Sequence, residues 1–143
     1  MTSTPETNKD LVRAFVAAWN DRDFAAFDRV MGEGAVLTVG GQTVPCDPAG
    51  TRAIAEEWTT AFPDWRFDLR ALVADGDLVA AHMPYEGTFE RPLYAVPPTG
   101  KFAHVDEMVI FRIADDKIVE AWEVYDEAGM WRQLGVPPCV FPW

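Results

Sequence analysis

Apolar residues recur every three or four positions near the start of the chain and every second position through its later half, so the pattern switches from helical to extended. Leu11, Phe15, Val16 and Trp19 follow Thr7-Asn8-Lys9-Asp10, where an acidic residue three places after a threonine reads as a helix start. Asn20-Asp21 closes that helix, and Asp23 is expected to cap a second, short one whose apolar face is Phe24, Phe27 and Val30. Residues 35–39 read as a strand, Gly40-Gly41 as a hairpin turn, and Gln42-Thr43-Val44 as the return. A third helix is expected over about 49–62, with Ile54, Trp58 and Phe62 on one face and Pro63-Asp64 as its stop. Strands are then expected at 65–73, 78–89, 102–113 and 118–125, separated by Asp75-Gly76-Asp77, the loop around Pro97-Pro98-Thr99-Gly100, and Asp115-Asp116. A short helix at 129–134 comes last, expected to be capped by Asp126, and Pro137, Pro138 and Pro142 prevent regular structure beyond it.

Helices first and hairpin-linked strands afterwards imply an α+β fold, with helices packed on one face of an antiparallel sheet. A strongly curved sheet closed by helices makes a cone able to enclose a ligand. Residues 1–143 form one domain on the length prior, with less regular termini at 1–6 and 136–143.

Composition narrows the function classes. The chain is 49% hydrophobic and 13% aromatic, with six Trp and nine Phe, which is globular rather than disordered and leaves room for an apolar cavity. A net charge of -11 argues against nucleic acid and anionic membranes as partners, because both need a basic footprint. Cys46 and Cys139 have no metal-ligand spacing, and the two His residues form no cluster, so no metal is expected. The polar first ten residues lack the apolar core of a signal peptide, and no apolar run is long enough to cross a membrane; the expectation is cytoplasmic. Serine-nucleophile and phosphate-loop motifs are absent.

Several segments carry a resemblance. They are Phe15-Val16-Ala17-Ala18-Trp19-Asn20, Ala61-Phe62-Pro63-Asp64, Gly87-Thr88-Phe89, the stretch from Val96 through Pro97-Pro98-Thr99-Gly100 to Lys101, Ile110-Phe111-Arg112-Ile113, Lys117-Ile118-Val119-Glu120-Ala121-Trp122 and Arg132-Gln133-Leu134-Gly135. Together and in this order they resemble SnoaL-like polyketide cyclases, a branch of the cone-shaped NTF2-like fold. The resemblance implies a homodimer with an internal pocket for an apolar small molecule, working without metal or cofactor. Family cyclases close a ring by an intramolecular aldol step in which a pocket acid moves the proton. By the same resemblance Glu123 stands where the family has its catalytic Asp. Val109 stands at the position of its pocket His, Ile54 near its pocket Asn, and Glu107 at a polar Gln position. Two polar partners are thus replaced by aliphatics, and a second carboxylate is added. The fold alone does not define the chemistry. An epoxide hydrolase-like enzyme, with Arg112 or Arg70 as its cation, and a non-catalytic binding module are the alternatives.

The chemistry turns on which carboxylates point inward. On the 102–113 strand, Ala103, Val105, Glu107, Val109, Phe111 and Ile113 share one face, while His104, Asp106, Met108, Ile110 and Arg112 share the other. On the last strand Ala121, Glu123 and Tyr125 oppose Glu120, Trp122 and Val124. A three-residue turn with a bulge at Asp115-Asp116 sets Val109 opposite Glu123 and Glu107 opposite Tyr125, whereas a two-residue turn shifts the pairing by one and exchanges the faces. The resemblance favours the first register. Two glutamates in one apolar pocket cannot both ionise cheaply, so one serves as acid and the other as base. The candidate catalytic pair is Glu123 and Glu107; Trp19, Ile54, Trp58, Val109, Phe111 and Tyr125 are candidate pocket residues. His104, Asp106 and Glu120 are a second possible cluster on the opposite face. There Met108, Ile110, Trp122 and Val124 form an apolar patch suited to a dimer interface.

Overall fold

A computed structural model describes residues 3–138, with four α-helices and nine strands among them. Cys139 and Pro142 lie outside the described residues. Helix α1 (Pro5–Asn20) begins three residues earlier than its pattern suggests. Thr4, rather than Thr7, is the cap: its hydroxyl accepts from the Thr7 amide, the Thr7 hydroxyl accepts from the Thr4 amide, and Pro5 occupies the first turn. Val12, Val16 and Trp19 form its buried stripe. Two polar residues at its end tie it to the later chain. The Asn20 side chain donates to the Phe67 carbonyl at 3.0 Å and accepts from the Phe67 amide at 2.8 Å. Arg22, at φ 58°, donates to the carbonyls of Trp19, Pro63 and Trp65. Asp23 is not the cap expected of it; its side chain makes no capping bond to the 3-10 turn Phe24–Ala26, which runs into α2 (Phe27–Val30).

Strand β1 (Met31–Val39) starts earlier than the expected 35–39 and turns at Gly40-Gly41 into β2 (Gln42–Pro45). Helix α3 (Pro48–Ala61) is capped by Asp47, which accepts from the Gly50 amide at 2.9 Å. The expected single strand at 65–73 is two pieces, β3 (Arg66–Phe67) and β4 (Ala71–Asp75). The next also divides, at Met83-Pro84, into β5 (Leu78–His82) and β6 (Tyr85–Thr88). Asp106 divides the third into β7 (Phe102–Val105) and β8 (Glu107–Ala114). These breaks let the chain leave a six-stranded sheet, ordered β2-β1-β9-β8-β5-β4, for a three-stranded one, ordered β3-β6-β7. The alternation of faces survives the break at Asp106, since Ala103, Val105, Glu107, Val109, Phe111 and Ile113 are all buried.

The expectation of an antiparallel sheet needs one correction. Strand β1 runs parallel to β9 (Lys117–Tyr125), with Leu37 beside Ala121 and Val39 beside Glu123. The two strands lie far apart in the chain, so no hairpin joins them. The β8–β9 turn also differs from both alternatives. It is a two-residue turn at Asp115 (φ 50°) and Asp116 (φ 58°), with Ala114 paired to Lys117 and Ile113 to Ile118. Arg112 then pairs with Glu120, leaving Val119 as an extra residue. That bulge, rather than a longer turn, produces the register with Val109 opposite Glu123 and Glu107 opposite Tyr125.

Helix α4 (Glu127–Gln133) is capped by Asp126, which accepts from the Gly129 amide, and Gln133 clamps the backbone of His104 through two bonds of 2.9 Å. The sheet wraps around a core of Phe, Trp and aliphatic residues, with α1 and α3 closing its inner face. No described helix is long and apolar enough to cross a membrane.

Candidate active site

The curved sheet and the two long helices enclose a cavity of about 600 Å³, within the range of roughly 300–1,000 Å³ usual for small-molecule sites. Helix α1 contributes Phe15 and Trp19, and α3 contributes Ile54 and Trp58. The inner face of β8 presents Glu107, Val109 and Phe111, while β9 presents Ala121, Glu123 and Tyr125. Every residue singled out for the pocket therefore lies around one cavity. Exposed Gln42, Ala53, Glu57 and Tyr94 mark its mouth.

The register sets the two carboxyl groups side by side. Glu107 faces Tyr125 across the ladder and Glu123 faces Val109, so the glutamates are diagonal neighbours on one sheet face, with roughly 7–8 Å between their positions. Val39 flanks Glu123 on its other side. Glu107 is 5% exposed, and Glu123 is enclosed by protein with its remaining accessible surface turned to the cavity. Among the described residues neither carboxyl group has a hydrogen-bond or ion-pair partner.

The consequence is electrostatic. Loss of water around the charged form pushes the Glu123 carboxyl up from 4.5 to about 7. Burial pushes Glu107 well above the usual carboxylate range, and the neighbouring Glu123 charge adds to this. Burial thus favours the protonated form of Glu107, and Glu123 is poised near its midpoint at neutral pH. Burial also raises the Tyr125 phenol, so it stays a neutral donor. The Tyr85 hydroxyl is turned to the Met130 sulfur at 3.2 Å.

An aromatic cluster surrounds the site. The Trp65 ring lies on Tyr85 with centroids 4.1 Å apart; Trp19 meets Phe67 edge-on at 5.3 Å; and Trp58 meets Tyr125 at 6.3 Å. Trp65, Phe67, Tyr85, Tyr94 and Cys46 belong to the cavity wall but are not among the sequence-derived candidates. Trp65, Phe67 and Tyr85 were concealed because the strand breaks at 68–70 and 83–84 leave no mark on the period-two pattern. Cys46 is buried, and its thiol is pushed up to about 12, so it is an inert wall residue.

On the opposite sheet face His104, Asp106 and Glu120 do not come together. Asp106 pairs with His82 at 2.6 Å, rather than with His104 and Glu120. His104 lies 3.4 Å from Arg70, and Glu120 lies 3.4 Å from Arg112. The cross-strand partners explain this: His82 is beside Met108 on β5, close to Asp106, whereas Glu120 pairs with Arg112 six residues further along the chain. Arg70 and Arg112 are occupied by Asp68 and Asp77 on that outer surface. Neither arginine reaches the cavity, and no metal-ligand cluster occurs among the described residues.

The helix-closed, curved mixed sheet has the architecture of the NTF2-like fold. The family described as SnoaL-like polyketide cyclase matches residues 9–134, and the chain belongs to that family. Among solved structures it is similar to AclR, titled a putative hydroxylase, from Streptomyces galilaeus, at 26% identity over 94% of this chain and 100% of that one (TM-score 0.82). It is similar to TsrD from Streptomyces laurentii at 26% identity over 95% and 100% (TM-score 0.85). IdmH from Streptomyces antibioticus, titled a putative polyketide cyclase, is 27% identical over 90% and 99% (TM-score 0.77). The comparison with curated proteins finds no match.

Proposed function

We propose that this protein is a cofactor-independent acid–base enzyme acting on an apolar, polyketide-like or polycyclic small molecule, in a ring-closing aldol or isomerisation step. The observation that carries the reading is the sharing of one apolar cavity by Glu107 and Glu123, neither paired with a cation. Ionised Glu123 takes a proton from a carbon next to a carbonyl. The resulting enolate attacks a second carbonyl carbon, forming the new carbon–carbon bond. Protonated Glu107 donates its proton to the alkoxide. Proton exchange between the two glutamates restores the starting state. Raised carboxyl groups suit this work because a base acts best when its pKa is near the working pH. The missing pocket His is offset in this scheme by the second carboxyl group, which supplies the acid.

The test is turnover of a panel of aromatic polyketide esters and ketones, followed by chromatography and nuclear magnetic resonance for the ring-closed or isomerised product, both of which keep the substrate's mass. Glu123→Gln is expected to lower turnover by about 10²–10⁴-fold while ligand binding persists. Binding without conversion by the unmodified protein supports the binding-module alternative. The outer-face positions of Arg70 and Arg112 speak against the epoxide hydrolase alternative, which needs a cation between two inward acids. We also infer that the outer apolar face pairs two copies of the chain, from the exposure of Met108, Ile110 and Val124 on adjacent strands.

A further inference from the structure

The charge inventory of the cavity constrains what it accepts. Three carboxyl groups line it, Glu107 and Glu123 within and Glu57 at the mouth. Among the described residues no Lys, Arg or His contributes to the wall. The arginines nearby in sequence lie elsewhere: Arg52, between the wall residues Thr51 and Ala53, lines a separate hollow with Asp47 and Glu56 and donates to the Phe24 carbonyl at 3.4 Å, while Arg22 is spent on backbone carbonyls, Arg70 on Asp68 and Arg112 on Asp77. The indole N–H groups of Trp19 and Trp65 have no acceptor but are sealed inside the ring stack, so they offer an anion nothing without rearrangement. The rest of the wall is rich in aromatic faces, including Trp58, Tyr85, Tyr94 and Tyr125. Such faces carry negative potential and attract cations. The whole chain adds a net charge of -11, which repels anions at a distance.

We infer that the ligand is a planar aromatic molecule carrying a basic nitrogen, as an amine or a protonatable ring nitrogen, and that free carboxylates and phosphate esters are rejected. A protonated nitrogen between Glu123 and the aromatic faces supplies the partner that both buried acids lack. It is attracted by the carboxylate and by the rings at once. An anion entering the same space meets two acids and no cation, and loses its water without compensation. The reaction that supplies such a ligand must leave its nitrogen unacylated and its acid groups esterified, amidated or removed. This inference rests on the reading of the cavity as the site where substrate binds, but not on any chemical step there.

The experiment uses three three-ring probes that differ in charge at the same ring position: aminomethylanthracene as the cation, hydroxymethylanthracene as the neutral form, and anthracene carboxylate as the anion. Binding is measured by calorimetry on the full chain. The cation is expected to bind about tenfold or more tightly than the neutral probe, and the anion at least as much more weakly. In Glu107→Gln/Glu123→Gln the advantage of the cation over the neutral probe is expected to collapse to within about threefold. Continued binding of the neutral probe shows that the variant is folded. Equal or tighter binding of the anion overturns the inference. So does a cation advantage that persists in the double variant, or the failure of all three probes to bind. The cation order with no turnover of any substrate leaves this inference standing and removes the enzymatic reading. An inverted order, with turnover still lost in Glu123→Gln, does the reverse.

Discussion

Glu123 is stabilised in its neutral form because its neighbours across both ladders are Val109 and Val39, which offer no hydrogen bond to a charged oxygen. Folding therefore raises its pKa from 4.5 to about 7. Across that window the native chain holds a proton that the unfolded chain releases, so this residue makes stability fall as pH rises through it. The full effect is present above the folded value and absent below the unfolded one, and it is on the order of 3 kcal/mol before discounting for the surface open to the cavity. Glu123→Gln removes the titration. Its melting temperature is expected to match the unmodified protein near pH 4 and exceed it at pH 8, as scanning calorimetry at the two pH values would record. A variant that is less stable than the parent at pH 8 would mean that Glu123 has a stabilising partner after all. Which residue types the site contains was legible in the sequence. That Glu107 would be more deeply buried than Glu123, and that Tyr85 would turn its hydroxyl to Met130, was not. Those outcomes depend on neighbours from distant segments.

At the scale of elements, the bulge at Val119 controls the site. Up to Ile118 the two strands of the last hairpin pair in simple register, and if Val119 paired with Arg112 with no bulge, Glu120, Trp122 and Val124 would turn inward. With the bulge, Ala121, Glu123 and Tyr125 do so. Deletion of Val119 is expected to leave an unbroken ladder in the same register, because Glu120 then follows Ile118 directly and still meets Arg112, so Glu123 stays inward. The expected result is a near-ultraviolet circular dichroism signal of the aromatic stack like that of the parent, with at most a modest change in melting temperature. Loss of that signal would show that the strand needs the bend of the bulge as well as its register. Caps and turns were mostly readable, since Asp126, Gly40-Gly41 and Asp115-Asp116 do what their types favour. The breaks at Met83-Pro84 and Asp106 were not, because the alternation of faces continues through them.

For the whole molecule, the six-stranded sheet has one face wrapped around the cavity and another that leaves apolar side chains in water. Val124 is 75% exposed, Val73 67% and Met108 59%. Covering this face with a second copy removes the patch without altering the cavity. The double substitution Met108→Lys/Val124→Lys is expected to convert a dimer into a monomer in sedimentation, with the fold and probe binding retained. A parent chain that sediments as a monomer at all concentrations would refute the pairing.

By itself the sequence determined the order of elements, the switch from helical to extended period, the aromatic wealth of the core and the resemblance that names the family. Each of these is encoded in short stretches of chain, where side-chain periodicity and turn preference act locally. Tertiary structure alone decided that β1 lies parallel to β9, that the strands at 83–84 and 106 pass between two sheets, and that one extra residue at Val119 turns Glu123 into the cavity. These depend on pairing between segments far apart in the chain, for which a period of two offers both faces equally.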